Sequence, residues 1–246
     1  MCLMGASRLR CAGGTVRLHR DGSESNGTPR PPAWGAGPMS AAVGSTTTTP
    51  LELTGWRVRL RTLSESDYDG WYRVRDASRD WLIPWEPRPN GAPPAPEDRS
   101  SFITRCMMRE RERQLGSGFG FGIFMDDRFC GEVTLSSVQR GPFQNASIGY
   151  WIDRGYAGQG LVPEAVVVVL RFAFESLGLH RVEISIIPRN AASRRVVEKL
   201  GLRNEGVAER FLEIDGRWED HIRYAITSEE WSTRRTQLLT TWLRRA

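Results

Sequence analysis

Two stretches of the chain combine residue types and spacings that could do chemistry. The first, Ile148 to Glu164, reads I-G-Y-W-I-D-R-G-Y-A-G-Q-G-L-V-P-E. Its apolar start predicts a strand ending at Ile152, Pro163 suits the first turn of a helix, and glycines fill the bend between them. Main-chain N–H groups in such a bend, together with the positive end of the helix dipole, can hold a phosphate or pyrophosphate. Gly158 and Gly160 would let that ligand approach the backbone with no Cβ in the way. No Gly-Lys-Ser/Thr follows, so this is not a P-loop, and Gly155, Gly158 and Gly160 lack the dinucleotide-binding spacing. A purely structural glycine turn is the plain alternative. The second stretch, P-R-N-A-A-S-R-R-V-V-E-K-L-G-L, follows a strand ending at Ile187. Asn190 there predicts a helix N-cap and Ser193 a first-turn hydroxyl, roles that a helix start alone would account for.

The elements that must position these residues follow from periodicity. Arg57 to Thr62 alternates polar and apolar residues, as a half-buried strand does. Ser64-x-x-Asp67 reads as a capping box for a helix over about 66–76. Trp81 to Pro96, rich in Pro and Trp, reads as a loop, and Glu97 to Gln114 as a helix with Phe102, Ile103, Cys106 and Met107 inward. Strands are expected at Gly118–Met125, Phe129–Ser137 and Ala146–Ile152, the first two joined by Asp126-Asp127-Arg128. Val166 to Val169 would favour a strand by propensity, but Pro163, the apolar run to Phe174 and Gly178 predict a buried helix over 162–177. A strand through Val182, Ile184 and Ile186 precedes the Asn190 helix, which Gly201 should stop. Asp215-Gly216 marks a closing hairpin. Thr227-x-x-Glu230 opens an amphipathic last helix with Trp231, Leu238, Leu239 and Trp242 for burial. The fold class is therefore α+β: a mixed, mostly antiparallel central sheet flanked by helices.

Composition bounds the rest. At 246 residues, 39% hydrophobic and 26% charged, the chain can bury a core. Its longest apolar run, Ala165 to Leu170, is far too short to span a bilayer. Cys2, Cys11, Cys106 and Cys130 form no Cys-x-x-Cys pair, and His19, His180 and His221 show no zinc spacing, so no metal is expected. That cysteine usage suits a reducing, cytoplasmic setting. Residues 1–50 read as a non-globular extension rich in Pro, Gly and Thr, with Met39 as an alternative start and an organellar transit sequence as the less favoured reading. Five arginines against Asp21 and Glu24 place +3 of the net +5 in that extension, leaving +2 for the remainder. The basic balance is thus poor grounds for a nucleic-acid partner. A domain over 51–227 and a terminal helix over 228–246 complete the expected organisation, in one copy or as a homodimer.

The order strand, glycine loop, helix, strand, Asn-capped helix resembles the Gcn5-related N-acetyltransferases (GNAT). Tyr156-Ala157-Gly158-Gln159-Gly160 is similar to that family's pyrophosphate loop, and Asn190-x-x-Ser193 with V-V-E-K-L-G-L to its second cofactor segment. R-L-R-T-L near the start and D-G-R-W-E-D-H-I-R-Y-A near the end resemble the ribosomal-protein-alanine N-acetyltransferase (RimJ/RimL-type) branch. The resemblance spans about 51–226. It implies the GNAT acyl-CoA N-acyltransferase fold and acetyl-CoA as donor. Trp151, Ile152, Arg154, Gly155, Tyr156, Ala157, Gly158, Gln159 and Gly160 would hold pantetheine and pyrophosphate, and Asn190 and Ser193 would lie near the thioester. The strands containing Ile152 and Ile184 would splay so that pantetheine amides could join their free edges. One departure stands out: where the family usually has Gln or Arg three residues before the first glycine of the pair, this chain has Gly155, with Arg154 one place early.

The resemblance further implies direct acetyl transfer, in a ternary complex, to the N-terminal α-amine of a protein, a ribosomal protein being one candidate. An α-amine has a pKa of about 7.7–8.0, so a weak base or a water chain suffices. A backbone N–H on the strand ending at Ile152 would polarise the thioester carbonyl, and Ser193 would protonate or hydrogen-bond the leaving thiolate. The base is harder to place. Positions where relatives carry Glu read Ser147 and Ser185 here. Glu132, Glu213 and Asp220 are the substitutes: Glu213 beside the hairpin, Asp220 by strand parity on an apolar face with a raised pKa. Glu132 reads as a strand residue facing solvent. Trp81 and Trp85 are candidates for the acceptor-pocket wall. Two other functions fit the same residues, a small-amine acetyltransferase acting on an aminosugar or polyamine, and a catalytically silent acetyl-CoA-binding module.

Overall fold

A computed structural model describes residues 51–87 and 97–243, all within one compact unit. The expectations for residues 1–50, including the Met39 start, and for the Pro-rich part of the 81–96 loop beyond Pro87, lie outside the described residues.

Eight strands form one sheet: β1 (Glu52–Thr54), β2 (Val58–Arg61), β3 (Phe119–Met125), β4 (Arg128–Gln139), β5 (Asn145–Ile152), β6 (Arg181–Ile186), β7 (Arg203–Ile214) and β8 (Arg217–Thr227). Their spatial order is β1-β2-β3-β4-β5-β6-β8-β7. Every neighbouring pair is antiparallel except β5 and β6. This is the mixed, mostly antiparallel sheet that the sequence predicts. Both short turns follow from residues that tolerate positive φ: Asp126 and Asp127 between β3 and β4, and Asp215 and Gly216 between β7 and β8.

Helices cover both faces. On one lie α1 (Tyr68–Ala77), the single turn α2 (Arg79–Leu82) and α3 (Arg99–Gln114). On the other lie α4 (Leu161–Arg171), α5 (Ala191–Lys199) and α6 (Ser228–Leu243). The Ser64/Asp67 capping box is present, though it starts a 3-10 turn over Glu65–Asp67 before α1 begins. The segment read as a loop from Trp81 instead continues as α2 and a 3-10 turn at Ile83–Trp85. Asp98 caps α3, accepting from the Ser101 N–H. Phe102 is buried as expected, but Met107 is 68% exposed, because α3 covers only the narrow stripe above β3 and β4. The valine run of α4 is helical, and its last turn widens to a π-helix at Phe172–Ser176. Every residue from Leu161 to Leu170 is buried, so tertiary burial overrides β-propensity there. Trp231 and Leu238 of α6 join the same core.

Glycine matters in the sheet where another backbone comes close. A Cβ on Gly131 of β4 would lie 2.3 Å from the Trp151 carbonyl oxygen of β5. Main chain cannot swing aside as a flexible side chain can. Gly131→Ala should therefore destabilise the fold by about 1–3 kcal/mol, read from denaturant unfolding, as overpacking does elsewhere.

Candidate active site

β5 and β6 share a ladder over only three residue pairs, Asn145 with Arg181, Ala146 with Val182 and Ser147 with Glu183. Beyond them β5 runs on to Ile152 and β6 to Ile186 with no pairing between them. A bulge in β4 sits at this level: pairing with β5 jumps between Ser136 and Gln139, and Ser137 has φ 52°. Bulges increase local twist, which turns β5 away from β6. The strands containing Ile152 and Ile184 therefore diverge, as expected.

The glycine loop follows β5 directly. Asp153 caps a 3-10 turn at Arg154–Tyr156, accepting from the Gly155 N–H at 3.0 Å. Gly158 (φ 79°) and Gly160 (φ 83°) hold left-handed conformations before α4 begins, and nothing lies within 4 Å of a Cβ built on Gly158. The loop is braced by side chains at three points. At its entrance the buried Ser78, between α1 and α2, donates to Asp153 at 3.1 Å and accepts from the Arg154 N–H at 3.2 Å. Across its middle, Gln159 Nε2 donates to the Gly155 carbonyl at 2.9 Å. At its exit, Arg57 donates to the Gln159 carbonyl at 2.9 Å and to Glu164 at 2.9 Å. Glu164 is 0% exposed and also accepts from the N–H groups of Arg57 and Val58.

Asn190 caps α5, its side chain accepting from the Ser193 N–H at 3.0 Å. The Ser193 hydroxyl lies 2.8 Å from the Tyr150 hydroxyl, so this pair links β5 to α5 across the diverging strands. Burial pushes the Tyr150 phenol well above its usual pKa, while the hydrogen bond to Ser193 pulls the other way. The phenol therefore stays protonated at neutral pH. Ile152 is buried in the α4 core, whereas the Trp151 ring turns to the other face, against Phe129 and beneath the Arg75 guanidinium. Arg154, Gly155, Gly158 and Gln159 are exposed, and Tyr156 and Ala157 pack on the core.

The acidic candidates fall out differently. Glu132 does not face solvent: it is 7% exposed and accepts from Trp71 Nε1 and from Arg105. Asp220 does not face an apolar layer either. Its strand parity with Trp218 is right, but β8 has run past the helices there and Trp218 itself is exposed. The exposed Asp220 carboxylate instead accepts from the Arg210 N–H at 2.8 Å, holding a bulge in which Arg210 has φ 47°. Glu213 lies opposite Trp218 near the hairpin tip, half-buried. Ser147 is at the point where the strands part, and Ser185 is opposite Arg223. Trp85 lies under the Arg189 guanidinium (5.0 Å), which also pairs with Glu219 at 2.6 Å, so the turn after α2, the start of α5 and the β7–β8 hairpin meet beside Asn190. Trp81 is half-buried on α2.

Residues 57–203 match the family model described as an acetyltransferase (GNAT) domain. The chain belongs to the GNAT acetyltransferase family. It is 33% identical over 187 residues to the [ribosomal protein uS5]-alanine N-acetyltransferase of Escherichia coli, covering 74% of this chain and 93% of that one. Against YjcK of Bacillus subtilis, named a probable N-acetyltransferase, identity is 45% over 114 residues, 46% of this chain and 63% of that protein. Mycobacterium smegmatis RimJ in complex with CoA-disulfide superposes with a TM-score of 0.71 at 34% identity, covering 78% of this chain and 92% of that one. The chain is a GNAT-type N-acetyltransferase and its donor is acetyl-CoA. The site fits that donor: two strand edges stand free of each other, and the glycine loop presents main-chain N–H groups at the start of α4. Among the described residues no cluster suited to a metal ion occurs, and no helix is long and apolar enough to cross a membrane.

Four residues that position this site, Arg57, Ser78, Tyr150 and Glu164, were not singled out by sequence. Glu164 alone left a signal, as an acid in the first turn of an otherwise apolar helix. Removing the Ser78 hydroxyl leaves the Arg154 N–H without its partner at the loop entrance. Ser78→Ala should weaken acetyl-CoA binding about fivefold, corresponding to about 1 kcal/mol, measured by calorimetry.

Proposed function

We propose that this enzyme acetylates the N-terminal α-amine of a protein, with a ribosomal protein as the acceptor class. The observation that carries this reading is the opening between β5 and β6. It places Tyr150 and Ser193 on the face of α4 and α5, while Trp85, Arg189 and Glu219 rim the other face. Donor and acceptor can thus meet through the sheet from opposite sides. The relatives named for acetylating a ribosomal protein's alanine support the choice of acceptor. Such an acceptor would place the work in the cytoplasm.

When bound, acetyl-CoA supplies an acetyl group already activated as a thioester. Backbone N–H groups from Ile152 to Gly160 would hold its pantetheine and pyrophosphate, with the three braces fixing the loop beforehand. A main-chain N–H of β5 near Ile152 would donate to the developing oxyanion. Ser193, oriented by Tyr150 and by the Asn190 cap, would donate to the leaving sulfur. Holding the amine close to the thioester supplies much of the remaining rate. We assign residues 51–227 to the catalytic domain with 228–246 as its closing helix. Neither Glu213 nor Asp220 is kept as base: Asp220 is engaged by the bulge, and Glu213 shares the side of the hairpin that carries the exposed Trp218.

The purified chain incubated with labelled acetyl-CoA and a peptide library should label peptide α-amines. Label found only on aminosugars or polyamines would replace this acceptor with a small amine, and binding without turnover would leave a silent module. Ser193→Ala should lower kcat about 10- to 100-fold with little change in acetyl-CoA affinity or melting temperature. An unchanged kcat would remove Ser193 from the mechanism.

A further inference from the structure

Among the described residues, the acceptor-facing side of the sheet holds a buried ionisable group that neither the scheme above nor an ion pair engages. His221 on β8 is 3% exposed. On that strand Ile222, Tyr224 and Ile226 pair with Ile186, Ile184 and Val182 and face the α4 core, so His221 and Arg223 point to the opposite side, together with Glu183 and Ser185. His221 Nδ1 lies 2.9 Å from the Glu219 carbonyl oxygen. A carbonyl can only accept, so the proton sits on Nδ1 and the neutral ring presents its lone pair at Nε2.

The carboxylates around this face are already engaged. Glu132 is held by Arg105 and Trp71, Glu183 lies between Arg181 and Arg223, and Glu219 is paired with Arg189. Positions 147 and 185 are serine. The roof over the imidazole is built by the β7 bulge. Ala208 pairs with His221 and Leu212 with Glu219, so residues 209–211 oppose Asp220 alone. That excess brings Phe211 edge-on to the His221 ring at 5.7 Å, with the Arg223 guanidinium 5.9 Å from the Phe211 ring. Bulges beside active sites commonly re-aim a side chain in this way. Among the described residues, the charged groups that share the imidazole's side of β8 on either side of it are Glu219 and Arg223; Glu219 pairs with Arg189 before α5, and Arg223 pairs with Glu183 of β6. Ala208 and Phe211 of β7 are uncharged.

We propose that His221 is the proton acceptor for the attacking amine, acting through one water at Nε2. The inference rests on the amine-acetylating activity proposed above. The acceptor arrives as an ammonium and gives one proton to the water, which passes one to Nε2. The free amine forms the N–C bond as the thioester C–S bond breaks. The second amine proton goes to the departing sulfur by way of the Ser193 hydroxyl, and His221 returns its proton to solvent.

The test uses the full chain and whichever amine the wild type acetylates fastest, with both substrates saturating, so that the kcat profile reports only groups that ionise within the ternary complex. Wild-type kcat should fall on the acid side. His221→Gln should lower kcat about 100-fold and abolish that acid limb, with acetyl-CoA affinity within twofold and the melting temperature close to wild type. His221→Ala should regain part of its turnover when imidazole is added. Variants within threefold of wild-type kcat overturn the proposal. So does a loss of kcat that keeps the acid limb and ignores imidazole, since that describes a structural histidine. A wild type active on aminosugars but on no peptide overturns the protein-acceptor reading and leaves this test intact.

Discussion

The molecule turns on an interrupted β-ladder. Backbone donors and acceptors are costly to leave unpaired, and the eight strands form one sheet in which every neighbouring pair shares a ladder. At β5 and β6 the ladder stops after Ser147 and Glu183, although both strands continue. The bulge at Ser137 supplies the twist, and β8 holds β6 through Ile186 so that it cannot follow β5. The consequence is an opening whose two walls are main chain. The glycine loop leaves from the end of one wall and the Asn190 helix from just beyond the other. Tyr150 and Ser193 tie the two together beneath the gap.

Charged side chains here serve mostly as braces. Glu164 shows how a buried carboxylate is tolerated: two backbone N–H groups and the Arg57 guanidinium satisfy it, and that same guanidinium reaches the loop carbonyl at Gln159. Arg75 binds both Glu86 and Glu97, and its guanidinium lies over the Trp151 ring. Because the arginines outcompete solvent for these acids, the carboxylates near the opening are committed before any substrate arrives. In the proposed mechanism proton transfer therefore falls to an imidazole and a water rather than to a carboxylate.

The sequence disclosed the strand and helix order well, since period-2 alternation and caps at Ser64, Asn190 and Thr227 are local signals. It also disclosed the loop, because Gly158 and Gly160 occupy conformations that only glycine adopts readily. What it hid was the non-local. Glu132 looked solvent-facing because its partners, Trp71 on α1 and Arg105 on α3, lie 61 and 27 residues away. Asp220 was on the predicted side of its strand, but no local pattern shows that the helical layer ends before it. Ser78 and Tyr150 are ordinary in composition and acquire meaning only from Asp153 and Ser193.

Gly155 tests whether those braces matter to binding. The family resemblance implies a long polar side chain near this position to help order the loop, and this chain has glycine there. Yet the Gly155 N–H is fixed by Asp153 and its carbonyl by Gln159, so its backbone is held from both directions. Asp153 is fixed in turn by Ser78, on a different element altogether. A loop ordered before the ligand arrives loses less conformational entropy on binding, and preorganisation of that kind offsets the contact a side chain would have made. The same linkage runs from the loop through Ser78 to α2, next to the turn carrying Trp85. The proposed donor loop and acceptor wall thus share one brace, a buried hydroxyl that links the entrance of the glycine loop to the segment before Trp85.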